Sequence, residues 1–196
     1  MSKYIDHIFY INLDHRTDKK ERMESQLNAL GLTYERFPGI LQRQNGVGCT
    51  KSHLEAQKLA RERGYKNVLI MEDDFTFEVT KEQWEERLTA LFESGPKFDV
   101  CFLSNTSIAQ DEPVPGCSFL KRALDVYGAE AYILQNHYYD TLIDTYSRAV
   151  PLLEQTGAHW LYISDRAWVP LLQRDQWVRF IDRFGRQNRD IEHDNN

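Results

Sequence analysis

Apolar positions along the chain fall into short runs separated by stretches with helical periodicity. Residues 7–13 (HIFYINL), 68–71 (VLIM), 98–103 (FDVCFL), 126–134 (VYGAEAYIL) and 176–181 (QWVRFI) are short and rich in β-branched or aromatic side chains, so each predicts a buried strand. Met23, Leu27 and Leu30 recur at helical spacing behind Asp18 and Glu21, which are spaced as a capping box, and Gly31 ends that helix. Residues 33–37 (TYERF) alternate like a short strand that Pro38 and Gly39 break. A further helix is predicted over 50–63, ending at Gly64. Another, carrying Trp84, Leu88, Leu91 and Phe92, is capped by Thr80 and Gln83. Residues 104–118 are polar, with two prolines and a glycine, and predict a long surface loop of the kind that serves as a lid. Residues 137–146 predict a helix, and Ser164 caps one over 165–171 that Pro170 ends early. Strands alternating with helices predict an α/β fold with a mostly parallel sheet.

The organising stretch is LIMEDDFTF, residues 69–77. Its apolar start reads as a strand running into Glu72, Asp73 and Asp74. If strand alternation persists, Glu72 and Asp74 share a face and Asp73 points away. A turn beginning at Glu72 would undo that division. Ligands of parallel sheets bind beyond the carboxyl ends of strands, where both these acids and the loop from Asn12 to Arg16 fall. Converging carboxylates there suit a hard divalent cation bridging phosphate oxygens. The same stretch also reads as a plain polar exit from a strand. Upstream, GVGCTKSHL sets Gly48, Thr50, Lys51, Ser52 and His53 near a helix N-terminus, which favours an anion; an ordinary cap with His53 packed beneath it is the competing reading.

The 196 residues, 41% hydrophobic and 12% aromatic, suit one globular domain over 1–196. A loose tail is expected from about residue 186 onward. A net charge of -6 argues against wholesale nucleic-acid binding. Cys49, Cys101 and Cys117 show no metal spacing, and their odd number argues against an obligatory disulfide framework. With no transmembrane run and no signal-peptide pattern, a cytoplasmic location is expected.

Taken in order, three segments resemble glycosyltransferase family 25, which includes collagen hydroxylysine galactosyltransferases and bacterial lipopolysaccharide glycosyltransferases. INLDHRTDKKERM resembles its INLxRRxDRxxRM opening, GCTKSHLEAQ its GCxxSHxxxW segment, and NVLIMEDDFTFE its lvlEDDlrFE. Weaker echoes continue in FDVCFLS, AEAYILQ, ISDRAW and RDIEHD. Gln57 stands where the pattern has tryptophan, Thr50 and Lys51 where it has an apolar pair, and Arg166 where collagen-type members have an acid.

The resemblance implies a GT-A type nucleotide-sugar-binding sandwich, a UDP-sugar donor, a protein or glycan acceptor, and a divalent cation, typically Mn²⁺. Carried over by position, Asp74, Glu72 and His193 are the expected metal ligands. Asn12, Leu13, Arg16, Lys51, Ser52, His53, Glu72, Asp73 and Asp190 are expected around the donor, and Asp165 is the expected general base. A base on the far face of the sugar and charge neutralisation at the departing diphosphate would give inverting transfer. Asp165 reads equally as a helix-start acid favoured by the dipole. Galactose is the leading donor sugar, since family members of that type make a β-linked product from an α-linked donor. A glucosyltransferase of the same fold, a non-catalytic nucleotide- or glycan-binding module, and a different metal-dependent nucleotidyl transferase are the alternatives. Absence of a GxxxxGK[ST] sequence removes the P-loop version of the last. Trp84 is expected in the core, and Trp160 and Trp168, which flank Asp165, are candidate acceptor platforms.

Overall fold

The computed structural model describes residues 3–42, 44 and 46–188. An eight-stranded sheet in the order β2-β1-β3-β8-β5-β9-β7-β6 forms the centre. Its strands are β1 (His7–Asn12), β2 (Glu35–Pro38), β3 (Asn67–Glu72), β5 (Val100–Ser104), β6 (Ser107–Val114), β7 (Cys117–Tyr127), β8 (Ala131–Gln135) and β9 (Trp177–Phe180). β1 runs parallel to β2 and β3, and β5 runs parallel to β9, while β8 and β7 run antiparallel to their neighbours. Only β8 and β7 are reversed, so six of the eight strands share a direction and the sheet is mostly parallel. Pro38 ends β2, which lies at the sheet edge, where a missing N–H costs no ladder bond.

Strand alternation divides the core into two layers. Phe9, Val68, Ile70, Phe102, Tyr132 and Leu134 face one side, toward α2 (Val47–Glu62) and α4 (Tyr139–Thr156). Their sequence neighbours Ile8, Tyr10, Leu69, Met71, Leu103 and Ile133 face the other, toward α1 (Thr17–Ala29) and α3 (Lys81–Ser94). Each fully buried Leu, Ile or Phe contributes about 1.5–3 kcal/mol, so both layers hold the sheet between helices. Trp84 is fully buried, as its helical stripe requires.

Several local expectations are corrected. α1 starts at Thr17 with Arg16 as N-cap and no capping side chain; Arg16 instead grips Asp18 through Nε–Oδ1 (2.9 Å) and Nη2–Oδ2 (2.7 Å). The box at Thr80 and Gln83 does form. Residues 104–118 are not a loop: most of them build the β6–β7 hairpin, with Val114 paired to Cys117. The run over 126–134 is two strands broken at Gly128. The helix expected over 137–146 continues through Pro151 to Thr156, where Gly157 at φ 66° ends it. Ser164 does not cap a helix: it is the first residue of α6 (Ser164–Ala167), which follows α5 (His159–Tyr162). Pro170 lies in the first turn of α7 (Val169–Arg174). Residues 185–187 are not loose, because β10 (Gly185–Gln187) pairs antiparallel with β4 (Phe75–Phe77). Among the described residues, no helix is long and apolar enough to cross a membrane.

Candidate active site

The acidic stretch ends β3 at Glu72 and turns at once, so alternation assigns only its first two acids. Glu72 faces α2, and Asp73 faces α1. Asp73 is held by Asn12 Nδ2 (2.7 Å) and Lys19 Nζ (3.4 Å). Burial pushes the Asp73 carboxyl up, against the pull of Lys19 and Asn12. Asn12 also donates to Arg16 O and accepts from Arg36 Nε (2.8 Å), so its side chain knits β1, β2 and the acid turn together. Leu13, just past β1, packs beside Gly39.

Asp74 lies in the turn, 5% exposed, and accepts from Gln187 Nε2 (3.2 Å) while its carbonyl accepts from Asn188 N (2.8 Å). The chain after β9 therefore returns to cover the acidic turn. Burial, then the neighbouring Glu72 charge, pushes Asp74 up to about 7.

Glu72 anchors a buried polar chain. Its Oε1 is 3.0 Å from His53 Nε2 and accepts from Cys49 Sγ (3.3 Å). His53, fully buried, places Nδ1 3.0 Å from Tyr132 Oη, which also accepts from Gln57 Nε2 (3.0 Å). Burial alone would raise the Glu72 carboxyl, but His53 and Cys49 outweigh it and hold it below the usual range. Burial and the same carboxylate push the Cys49 thiol well up.

Glu130 is the residue that sequence reasoning missed. Because β8 runs against β3 and β5, it begins where they end: Ala131 is paired with both Met71 and Ser104. The residue before it therefore sits at the same edge as Glu72, and Glu72 N donates to Glu130 O (3.0 Å). Glu130 is 1% exposed, and burial, together with Glu72 and Asp74, pushes it up to about 8. Its Oε1 is 3.2 Å from Ser104 Oγ, which also lies 2.8 Å from Gly185 O. One hydroxyl hydrogen cannot serve both oxygens, and a protonated Glu130 that donates to Ser104 satisfies all three groups. The signal available in the sequence was Gly128 just upstream. Its φ is 99°, and a Cβ there would lie 2.1 Å from Glu130 Oε2 and 2.6 Å from Thr106 N.

Gly128 also donates its N–H to Asp165 Oδ2 (2.9 Å), which brings Asp165 to the same edge. Burial raises the Asp165 carboxyl, while the Gly128 bond partly offsets it and Glu72 adds to it. Cys49, Glu72, Glu130, Ser164, Asp165 and Gln187 line one cavity of about 400 Å³. A second, of about 350 Å³, shares Thr106, Glu130 and Gln187 with it and adds Arg183 and Arg186.

Other expected site residues stand elsewhere. Lys51 points away from the acids and pairs with Glu154 (2.7 Å) and Gln42 (2.8 Å). Ser52 accepts from Ile40 N (2.8 Å) and donates to Gly48 O (2.7 Å), fixing the turn before α2 rather than facing the cavities. Trp168 is fully buried among Phe102, Tyr132 and Trp177 and is core, whereas Trp160 is 63% exposed. Asp190 and His193 lie outside the described residues.

Glu72 is near enough for its charge to raise the Asp74 and Glu130 carboxyls, and oxygen donors are what Mg²⁺ or Mn²⁺ prefer, but among the described residues these three acids do not come together as a set of metal-ligand atoms. Cys49, His53 and Glu72 do form such a set, of mixed chemistry, with ligand atoms within 4.8 Å of one another.

No protein-family model matches the chain. It is 22% identical over 135 residues to a glycosyltransferase 25 family member of Drosophila melanogaster, covering 55% of this chain and 22% of that protein. It is 27% identical over 143 residues to procollagen galactosyltransferase 1-B of Xenopus laevis, covering 57% and 23%. The chain thus matches less than a quarter of the length of these relatives. In fold it is similar to the glycosyltransferase GlyE of Streptococcus pneumoniae, with a TM-score of 0.50 at 11% identity, covering 92% of this chain and 46% of that one. The sandwich is of the GT-A type that the motifs implied, and in sequence the chain is similar to proteins of glycosyltransferase family 25.

Proposed function

We propose that the chain is a glycosyltransferase that moves a hexose, in the first instance galactose, from a UDP-sugar to an acceptor hydroxyl on a protein or glycan, with inversion. The observation that carries this reading is the gathering of Glu72, Asp74, Glu130 and Asp165, from three separate segments, at the carboxyl edge of the sheet beside cavities that also hold two arginines. The curated relatives named as glycosyltransferases add to it.

Asp165 is the base in this reading. Gly128 N–H fixes one of its oxygens, and burial raises its proton affinity above that of an ordinary aspartate, which favours taking a proton from the acceptor hydroxyl. Arg183 and Arg186 line the cavity that Glu130 shares and Asp165 does not, and would supply positive charge for the diphosphate oxygens. Glu72 and Asp74, with Glu130 beside them, would hold Mn²⁺ or a similar cation. When bound, that cation neutralises charge on the leaving diphosphate. His53 and Cys49 keep the Glu72 carboxylate ionised and oriented for this task.

Calorimetric titration with UDP, with and without Mn²⁺, tests the reading. UDP binding that tightens with Mn²⁺, and slow donor hydrolysis to free sugar and UDP, are the expected results. Binding indifferent to the cation, or release of nucleoside monophosphate, would overturn it.

A further inference from the structure

Cys49 and His53 are four residues apart on α2, so their side chains stand on one face of the helix, and β3 brings Glu72 up against that face. This sulfur, nitrogen and oxygen set differs in chemistry from the all-carboxylate set of the proposed transfer reaction. A thiolate beside an imidazole favours a borderline-soft cation over Mn²⁺. We propose that Cys49, His53 and Glu72 form a binding site for Zn²⁺ or a cation like it that overlaps the carboxylate set at Glu72, with its open coordination position in the cavity beside Ser164 and Asp165.

The spacing is close to what the ion requires. Tetrahedral Zn²⁺, with bonds of about 2.0–2.3 Å, sets its ligand atoms about 3.3–3.6 Å apart. His53 Nε2 is 3.0 Å and Cys49 Sγ 3.3 Å from Glu72 Oε1, and all three ligand atoms lie within 4.8 Å of one another, so small side-chain shifts admit the ion. Cys49 and Glu72 both line the cavity, which provides the entry path.

The buried shell behind His53 is built to release its Nε2. A ligating histidine needs its proton on the other nitrogen, held by a partner. Tyr132 Oη is that partner at Nδ1. Gln57, also fully buried, donates Nε2 to Tyr132, and among the described residues its Oε1 has no hydrogen-bond partner. With the amide turned over, Oε1 accepts the Tyr132 O–H, and the Tyr132 oxygen accepts from His53 Nδ1–H. Either orientation leaves one amide atom without a partner, so the network passes between the two imidazole tautomers at little cost. On binding, the His53 proton moves from Nε2 to Nδ1 and the Cys49 thiol gives up its proton, so one proton is released per ion. Because Glu72 belongs to both sets, Zn²⁺ would compete with the harder cation.

The test is a Co²⁺ titration of the whole chain followed by absorption. A near-ultraviolet thiolate-to-cobalt band that saturates at one equivalent and is bleached by Zn²⁺ supports the site. The band should survive Cys117→Ser and Asp74→Asn and vanish in Cys49→Ser. No band in the wild-type chain, or a band that persists in Cys49→Ser, overturns the proposal. Should Cys49→Ser fail to fold, alkylation of the wild-type chain mapped by mass spectrometry decides the matter. Protection of Cys49 by Zn²⁺ supports the site, and equal labelling with and without Zn²⁺ overturns it. None of these readouts requires sugar transfer, so failure here leaves the transferase reading intact.

Discussion

Two groups of carboxylates on the same sheet are treated in opposite ways. At one, Asp111 on β6 meets Lys121 on β7 (2.9 Å) and Arg179 on β9, a cross-strand triad in which Lys121 and Arg179 are register partners. Burial pushes the Asp111 carboxyl up, but the two cations outweigh it and hold it below the usual range. At the other, Glu72, Asp74, Glu130 and Asp165 crowd together, and burial plus mutual repulsion lifts the last three. Lys and Arg outweigh burial at the first group, whereas at the second the pull of Lys19 on Asp74 and of Arg166 on Asp165 does not. The first group thus serves stability, whereas the second gives up stability, as the proposed donor and cation site requires.

The sharpest way to break this comparison is at Asp165. Asp165→Asn should lower turnover at least about 100-fold, the scale of a lost general base, with the melting temperature held or raised. Unchanged steady-state turnover would remove Asp165 from the chemistry. At the opposing group, Asp111→Asn should leave turnover intact and cost about 1–3 kcal/mol in urea unfolding, because it strips charge from a buried guanidinium. A loss of turnover without a loss of stability would invert the contrast.

The pH dependence of stability separates the two groups further. Glu130 ionises near 4.5 when unfolded and at about 8 when folded, so between those values the folded chain holds more protons. Stability without added cation should therefore fall as pH rises across that window, by on the order of 4 kcal/mol, and Glu130→Gln should flatten the slope. Divalent cation should flatten it as well, since it replaces the proton. Melting curves from pH 5 to about 8 check both. The smallest effect is expected at Lys51. Lys51→Met should leave UDP affinity and turnover unchanged, because Lys51 pairs with Glu154 on the surface of α4. A clear loss of UDP affinity would restore it to the donor site.

Local pattern was enough for much of the architecture. Alternation along residues 7–13 and 68–71 determines which side chains enter each core layer, and helical stripes determine which face of α1 and α3 is buried. The same logic takes Asn12 and Glu72 to strand ends, and separates Glu72 from Asp73 by the pleat. It failed where meaning depended on a partner far along the chain. Residues 104–118 look like a loop because β6 is the edge strand and exposes polar residues, and only pairing between β6 and β7 makes them a hairpin. Ser52 and Lys51 share the helix start with His53, yet rotation about the helix axis sends only His53 and Cys49 to Glu72.

Periodicity and turn chemistry, which act over a few residues, placed most of the buried strands, the longer helices, the two-faced sheet and the acidic stretch at a strand end. Only the tertiary structure decided that Glu130 joins the acids, that Gln187 covers Asp74, and that Cys49 and His53 meet Glu72. Those contacts follow from the reversed direction of β8, the return of the chain after β9 and the docking of α2 on the sheet. No local pattern encodes such long-range choices, because their free energy comes from packing between segments that are distant in sequence.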